Sequence, residues 1–265
     1  MIPSSPFIRE QGHGAAVVCL HSNASTSSQW RALGDLLAER YRVLAVDGYG
    51  AGKSPEWPGD RPLTLQDEAE LVGVALPPDG ERVHLVGHSY GAAVAIKLAL
   101  MQPERVRSVV VYEPTLFHLV AQSDPLNSPA AGIWRAATDA AHAVASGDLP
   151  AAAERFIDYW MGAGAWAAMP AARQAAVASS MRAVQAWRDV AMAPNASVAQ
   201  LAALKLPVLL MWGQDSPESA LAVVQVLART LPDVTLAPQP GLGHMAPITH
   251  PAQVNSQIAE FIARH

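Results

Sequence analysis

One pentapeptide constrains this chain more than any other segment. Residues 82–95 read Arg-Val-His-Leu-Val-Gly-His-Ser-Tyr-Gly-Ala-Ala-Val-Ala, so an apolar, β-rich run enters Gly87-His88-Ser89-Tyr90-Gly91 and an alanine-rich helical run leaves it. Gly-x-Ser-x-Gly between a strand and a helix is the signature of a sharp turn that lifts one serine above a sheet edge. A side chain at Gly87 or Gly91 would collide with the neighbouring strand and helix. Ser89 is then held in a strained backbone position, with its hydroxyl exposed at the start of a helix. Glycines flanking a serine also occur by chance in loops; the strand before and the helix after favour the functional reading.

The rest of the chain supplies a context for such a turn. Through residue 114, apolar runs at 15–20, 43–46, 83–86 and 106–112 alternate with helical patterns at 29–40, 65–76 and 90–102. This alternation predicts an α/β fold, a parallel sheet covered by helices on both faces. The runs are short and rich in Val and Leu, as doubly buried strands require. The alternation stops at Pro114. Residues 115–203 carry no convincing strand, are rich in Ala, and include Trp134, Trp160, Trp166 and Trp187. The pattern then resumes with a strand at 206–212, a helix at 217–231, a strand at 234–237 and a closing helix at 251–263. The chain reads as one core domain, residues 1–114 and 204–265, interrupted by a helical lid at 115–203.

Composition narrows the functional classes. Charged residues are 15% and apolar residues 51% of the 265, which suits a well-buried globular enzyme and argues against disorder. A net charge of −5 offers no basic patch, so no nucleic-acid partner is expected. No uninterrupted apolar segment spans a bilayer, so no membrane partner is expected either. The single cysteine, Cys19, sits in an apolar run and reads as a buried, inert thiol. The opening Met1-Ile2-Pro3-Ser4-Ser5-Pro6 has no basic region followed by an apolar core, so the default expectation is a cytoplasmic protein.

A decoy lies at Asp47-Gly48-Tyr49-Gly50-Ala51-Gly52-Lys53-Ser54, close to the phosphate-binding pattern Gly-x4-Gly-Lys-Ser/Thr. Asp47 stands in place of the first glycine and would set a negative charge against phosphate. Pro55-Glu56-Trp57-Pro58-Gly59 cannot begin the helix whose N-terminus should hold the anion. A sharply turning loop beside the active site is the better reading.

A serine hydroxyl is a poor nucleophile at neutral pH and needs a base, which in turn needs an orienting carboxylate. In chain order the base comes last in an elbow-type site. His244, in the loop Gly241-Leu242-Gly243-His244-Met245 between the final strand and helix, sits at the same sheet edge as Ser89. His250 reads as a helix cap. His13, His118, His142 and His265 read as surface residues, His84 as a strand residue, and His88 as a side chain packed beneath the turn. Two carboxylates compete for the third role. Asp215 follows the strand ending at Gly213; it can equally cap the helix near Pro217. Glu113 ends the strand before Pro114, where a buried carboxylate is costly without a partner. Both are carried forward, Glu113 ahead of Asp215. The developing oxyanion needs two N–H donors, for which the backbones of Tyr90 and Asn23 are the candidates. The run 23–28 also reads as a turn that caps the helix at Gln29.

With His21-Ser22-Asn23, Asp47-x-x-Gly50-x-Gly52-x-Ser54, Gly87-His88-Ser89-Tyr90-Gly91 and Gly243-His244 in this order, nearly the whole chain resembles the α/β-hydrolase superfamily in its lidded form. The resemblance implies an eight-stranded, mostly parallel sheet, a lid between strands six and seven, and a serine–histidine–acid triad with no metal or cofactor. It explains the Asp47–Ser54 loop as a feature near the pocket. The chain departs from the pattern at Ser22, usually glycine, and at Ser216, usually the acid. In haloalkane dehalogenases of the superfamily the acid can follow strand six, where Glu113 sits. Those enzymes and epoxide hydrolases use an aspartate nucleophile, and Ser89 argues against both chemistries. The implied activity is hydrolysis of a small-molecule ester or lactone, with the lid tryptophans expected to shape an apolar pocket or its own packing. Carbon–carbon bond hydrolysis, acyl transfer and perhydrolysis share the same site, and a receptor-like ligand-binding protein is the rival from another class.

Overall fold

The computed structural model describes residues 5–78, 80–121 and 125–265, and within the long helix below it leaves out the side chains of residues 183 and 185–188. Met1 to Ser4 and the Trp187 side chain, both read above, therefore lie outside the described residues. Seven strands form one sheet: β1 (Ile8–Gln11), β2 (Ala15–Leu20), β3 (Tyr41–Val46), β4 (Val83–His88), β5 (Val106–Tyr112), β6 (Val208–Gly213) and β7 (Val234–Gln239). Their spatial order is β1-β3-β2-β4-β5-β6-β7. Every pairing is parallel except that of β1 with β3.

Strand side chains alternate between the two faces, and each face buries its own core. On one side, Val17, Cys19, Val86, Val110 and Met211 meet α1 (Arg31–Leu37) and α11 (Pro251–Ile262). On the other, Val18, Leu85, Val111 and Leu210 meet α2 (Leu65–Val74), α3 (Tyr90–Met101) and α9 (Glu218–Thr230). This is the three-layer arrangement that βα alternation dictates. Cys19 is fully buried, and burial pushes its thiol pKa far up, so it carries no thiolate.

Two expectations need correction. The resemblance implies eight strands, and the sheet has seven among the described residues. Strand β1 has no apolar signature, since Ile8-Arg9-Glu10-Gln11 is short and mostly polar. Pairing with β3 and an Arg42–Glu10 ion pair of 2.7 Å hold it at the sheet edge. Strand β6 begins at Val208 because Pro207 has no N–H to give the ladder.

Between β5 and β6 the described residues contain helices and turns but no strand: α4 (His118–Ala121), α5 (Ala131–Ala145), α6 (Leu149–Met161), α7 (Ala171–Met192) and α8 (Val198–Ala202). Helix α10 (Ala246–Thr249) precedes α11. The insertion is tied to the core at several points. Tyr159 of α6 shares a 2.6 Å hydrogen bond with Ser219 of α9, and Lys97 of α3 donates to the Asn195 carbonyl at 3.3 Å. His118 donates to the Ala196 carbonyl at 2.8 Å and is half-buried, so it is not the free surface residue expected of it. No helix among the described residues is long and apolar enough to cross a membrane.

The parallel topology brings the carboxyl ends of β2, β4, β5, β6 and β7 to one edge. In open α/β sheets that edge is where ligands bind.

Candidate active site

Three side chains from distant parts of the chain meet at this edge. Ser89 stands between β4 and α3 with φ 56°, a left-handed conformation that a non-glycine residue adopts only when its surroundings impose it. A Cβ on Gly91 would lie 2.4 Å from the Leu20 carbonyl oxygen, and one on Gly87 would lie 2.5 Å from Ala92 Cα. The two glycines thus let the turn press against β2 and α3. From there Ser89 Oγ lies 3.0 Å from His244 Nε2, and His244 Nδ1 lies 2.6 Å from Glu113 Oε2. All three residues are buried.

Glu113 also has an unusual backbone, φ 45°, just before Pro114. Its other oxygen, Oε1, accepts from the Gly213 N–H at 2.7 Å and the Ser216 hydroxyl at 2.6 Å. This answers the cost of burying a carboxylate, since each oxygen has partners. Asp215 is exposed and its backbone N–H donates to the Leu242 carbonyl. The structure therefore brings Glu113, and not Asp215, to His244. Asp215 does not supply a side-chain cap to α9 either, whose cap position is Pro217. Ser216 stands where the resemblance expects the acid, and its hydroxyl instead donates to Glu113 at the end of the neighbouring strand. Replacing Ser216 with Ala should lower kcat roughly tenfold by removing one of the two donors to Glu113 Oε1. Steady-state kinetics would read this, and an unchanged kcat would separate Ser216 from the work of the site.

Several residues with no sequence motif of their own hold His244 in place. Tyr112 donates its hydroxyl to the Gly243 carbonyl at 2.9 Å. His88 donates from Nε2 to the His244 carbonyl at 2.8 Å, and its Nδ1 accepts from Gln29 Nε2 at 3.1 Å. Gln29 Oε1 in turn accepts from the Ser22 backbone and hydroxyl, each at 3.0 Å. Ser22 thus joins the loop after β2 to the histidine loop through Gln29 and His88. No local motif announces this chain of bonds, because its members are far apart in sequence. Trp160 of α6 stacks on the His244 ring with centroids 3.8 Å apart and planes at 22°.

Burial sets the charge state of the supporting histidines. Desolvation holds His88 well below the ordinary histidine range, with the neighbouring His244 adding to the effect. Desolvation lowers His21 as well, and it lowers His84 to about 4, with the Arg107 charge contributing. His21 accepts from the Gly48 N–H through Nε2 and meets the Ser22 carbonyl through Nδ1, a pairing that only the neutral ring satisfies. These groups are neutral when folded but take protons near pH 6.5 when unfolded. The unfolded state binds more protons, so stability is present above about pH 6.5 and falls as pH drops from there toward 4. The melting midpoint measured by calorimetry should fall steadily between pH 7 and pH 5, and a flat profile would contradict neutral burial.

The remaining sequence candidates have plainer places. His84 shares a 2.8 Å hydrogen bond with Ser108. His250 occupies the cap position of α11 but makes no side-chain cap; its Nδ1 lies 2.9 Å from Thr249 Oγ1. His13, His142 and His265 are exposed. In the decoy loop, Asp47 is buried and accepts from the backbones of Ser27 and Lys53, while Ser54 donates to the Asp47 carbonyl. That carboxylate is committed to bracing the loop, which leaves no phosphate cradle.

Ser89 opens into a cavity of about 60 Å³ beneath the helical insertion. Asn23, from the loop after β2, lines the same space, and Tyr90 begins α3 beside the serine. The Tyr90 hydroxyl points the other way, 3.5 Å from Glu68 Oε1. The walls are mostly Ala, Val, Ile, Met and Phe, with no charged side chain among the described residues. Of the tryptophans noted in the sequence, Trp160 lines it; Trp134 is exposed and Trp166 half-buried away from it.

The chain is similar to several known proteins. A putative carbamate hydrolase of Variovorax paradoxus is 31% identical over 263 residues, covering 95% of this chain and 92% of the relative. A haloalkane dehalogenase of Agrobacterium fabrum is 38% identical and a pimeloyl-[acyl-carrier protein] methyl ester esterase of Aeromonas hydrophila 39% identical, each over 40% of this chain. Those two matches span 35% and 40% of the relatives' own lengths. Among solved structures, a thermophilic esterase from Thermogutta terrifontis superposes with a TM-score of 0.78 at 22% identity, covering 98% of this chain and 93% of that one. The enol-lactonase of Burkholderia xenovorans gives 0.77 at 17% identity, covering 97% and 96%. The alpha/beta hydrolase family model matches residues 17–257, and the chain belongs to that family.

Proposed function

We propose that this protein is a serine hydrolase that cleaves small carboxylic esters or lactones through an acyl-enzyme. The observation that carries the reading is the continuous relay from Ser89 Oγ through His244 to the buried Glu113, opening into an apolar cavity. Ser89 attacks the carbonyl carbon and its proton passes to His244 Nε2. Glu113 holds the Nδ1 proton and stabilises the imidazolium that results. The backbone N–H groups of Asn23 and Tyr90 receive the oxyanion. The carbon–oxygen bond to the leaving group then breaks, and His244 returns the proton to the departing alkoxide. In the second half, His244 takes a proton from water, whose oxygen attacks the acyl carbon; Ser89 regains its proton and the acid leaves. The reaction requires no metal or cofactor.

In this reading residues 115–203 are the lid of a single core formed by 1–114 and 204–265. The lid supplies Trp160, which covers one face of the base and limits access of water to it. The apolar lining disfavours anionic acyl groups, which would enter without a countercharge. A cavity of about 60 Å³ holds roughly four to six water-sized groups at about 10–15 Å³ each. A series of p-nitrophenyl esters should therefore show kcat/KM highest for acyl chains of about four to six carbons and at least tenfold lower beyond about ten. Absence of turnover across the series and across simple lactones would reject the reading.

A further inference from the structure

Two of the residues that line the cavity carry polar side-chain atoms without a partner. Thr115 Oγ1 and Asn23 Oδ1 are buried with no hydrogen-bond partner among the described residues. Thr115 is only 4% exposed and lines the same space as Ser89 and Asn23. It sits close to the nucleophile, since its N–H donates to the Ser89 carbonyl at 3.3 Å. Asn23 comes from the other side, in the loop after β2. Buried polar groups in folded proteins are nearly always paired, and an exception at a site calls for an explanation.

We propose that Asn23 and Thr115 form a recognition site for a hydroxyl group carried by the acyl part of the substrate, close to the scissile carbonyl. This rests on the reading of Ser89 as nucleophile and adds the substrate class, a 2-hydroxy ester with a short or aromatic side chain. The chemistry of the pair selects a hydroxyl. The Asn23 carbonyl oxygen can only accept, whereas the Thr115 hydroxyl can donate. A substrate hydroxyl has one proton to give and lone pairs to receive, so it meets both; an N–H would meet only the acceptor, and a methyl ether only the donor. Apart from the nucleophile, the remaining hydroxyl-bearing residue of the lining is Tyr159, which is already engaged with Ser219.

The test compares the two enantiomers of methyl mandelate, their methyl ethers and methyl phenylacetate. The ethers match the inductive effect of the hydroxyl without its proton. One enantiomer of mandelate should exceed its ether in kcat/KM roughly tenfold. Thr115→Val, nearly isosteric, should erase that preference, and Thr115→Ser should restore it. Equal turnover of alcohol and ether, or a Thr115→Val variant that slows every ester alike, overturns the assignment while the hydrolase reading stands on phenylacetate turnover. Failure of the wild type on all five esters overturns both.

Discussion

Substituting Ser89 by Ala is expected to reduce ester turnover about 10⁴- to 10⁶-fold while leaving the fold intact. The size follows from the site acting as a unit. Among the described residues His244 has no other hydroxyl within hydrogen-bonding distance to activate, and its ring is fixed by the backbone bonds from His88 and Tyr112 and by the Trp160 stack. The residual rate would come from water activated by the same imidazole, helped by the oxyanion donors. The substitution also relieves no packing demand, because the strained turn at residue 89 is imposed by the close approach of Gly91 to Leu20. Folded protein with nearly full activity would show that the nucleophile lies elsewhere.

Glu113→Gln should cost about 10⁴-fold in kcat, whereas Asp215→Asn should change it by less than about twofold. The reason is directional. Gly213 N–H and the Ser216 hydroxyl both donate to one side of the residue 113 side chain, at 2.7 and 2.6 Å. A glutamine will turn its single carbonyl oxygen toward those two donors and its NH₂ toward His244. The imidazole must then accept at Nδ1 and carry its proton on Nε2, where it cannot take one from Ser89. Loss of the correct tautomer in a geometrically intact triad carries a penalty of this order. Asp215, exposed on the other side of the loop, has no part in the relay. Rate constants for the two variants at a common pH decide the point, and the reverse ranking would move the acid to residue 215.

What could be read in the sequence was what is local. The turn at Ser89 is written in five consecutive residues, and six of the seven strands are written as apolar runs. His244 follows from its glycine-rich loop after the last strand. The sequence alone does not choose between Glu113 and Asp215, because each ends or follows a strand at the same edge; only the lateral neighbourhood of β5 and β6 separates them. Strand β1 has no signature in the sequence because pairing with β3, rather than its own polar residues, makes it a strand. The clamp from Ser22 through Gln29 and His88 to the His244 carbonyl links four segments and has no periodicity to detect. Trp160 could be noted as one tryptophan among several, but its place over the imidazole depends on how α6 crosses the sheet edge.

The central claim is that Ser89 is the group that attacks substrate. Treatment of the intact protein with a fluorophosphonate, followed by peptide mass spectrometry, tests it without assuming any natural substrate. One adduct per chain on the peptide carrying Ser89, formed in step with loss of ester turnover, is the predicted result. An adduct at another residue, or unmodified Ser89 in protein that has lost its activity to the reagent, would contradict it.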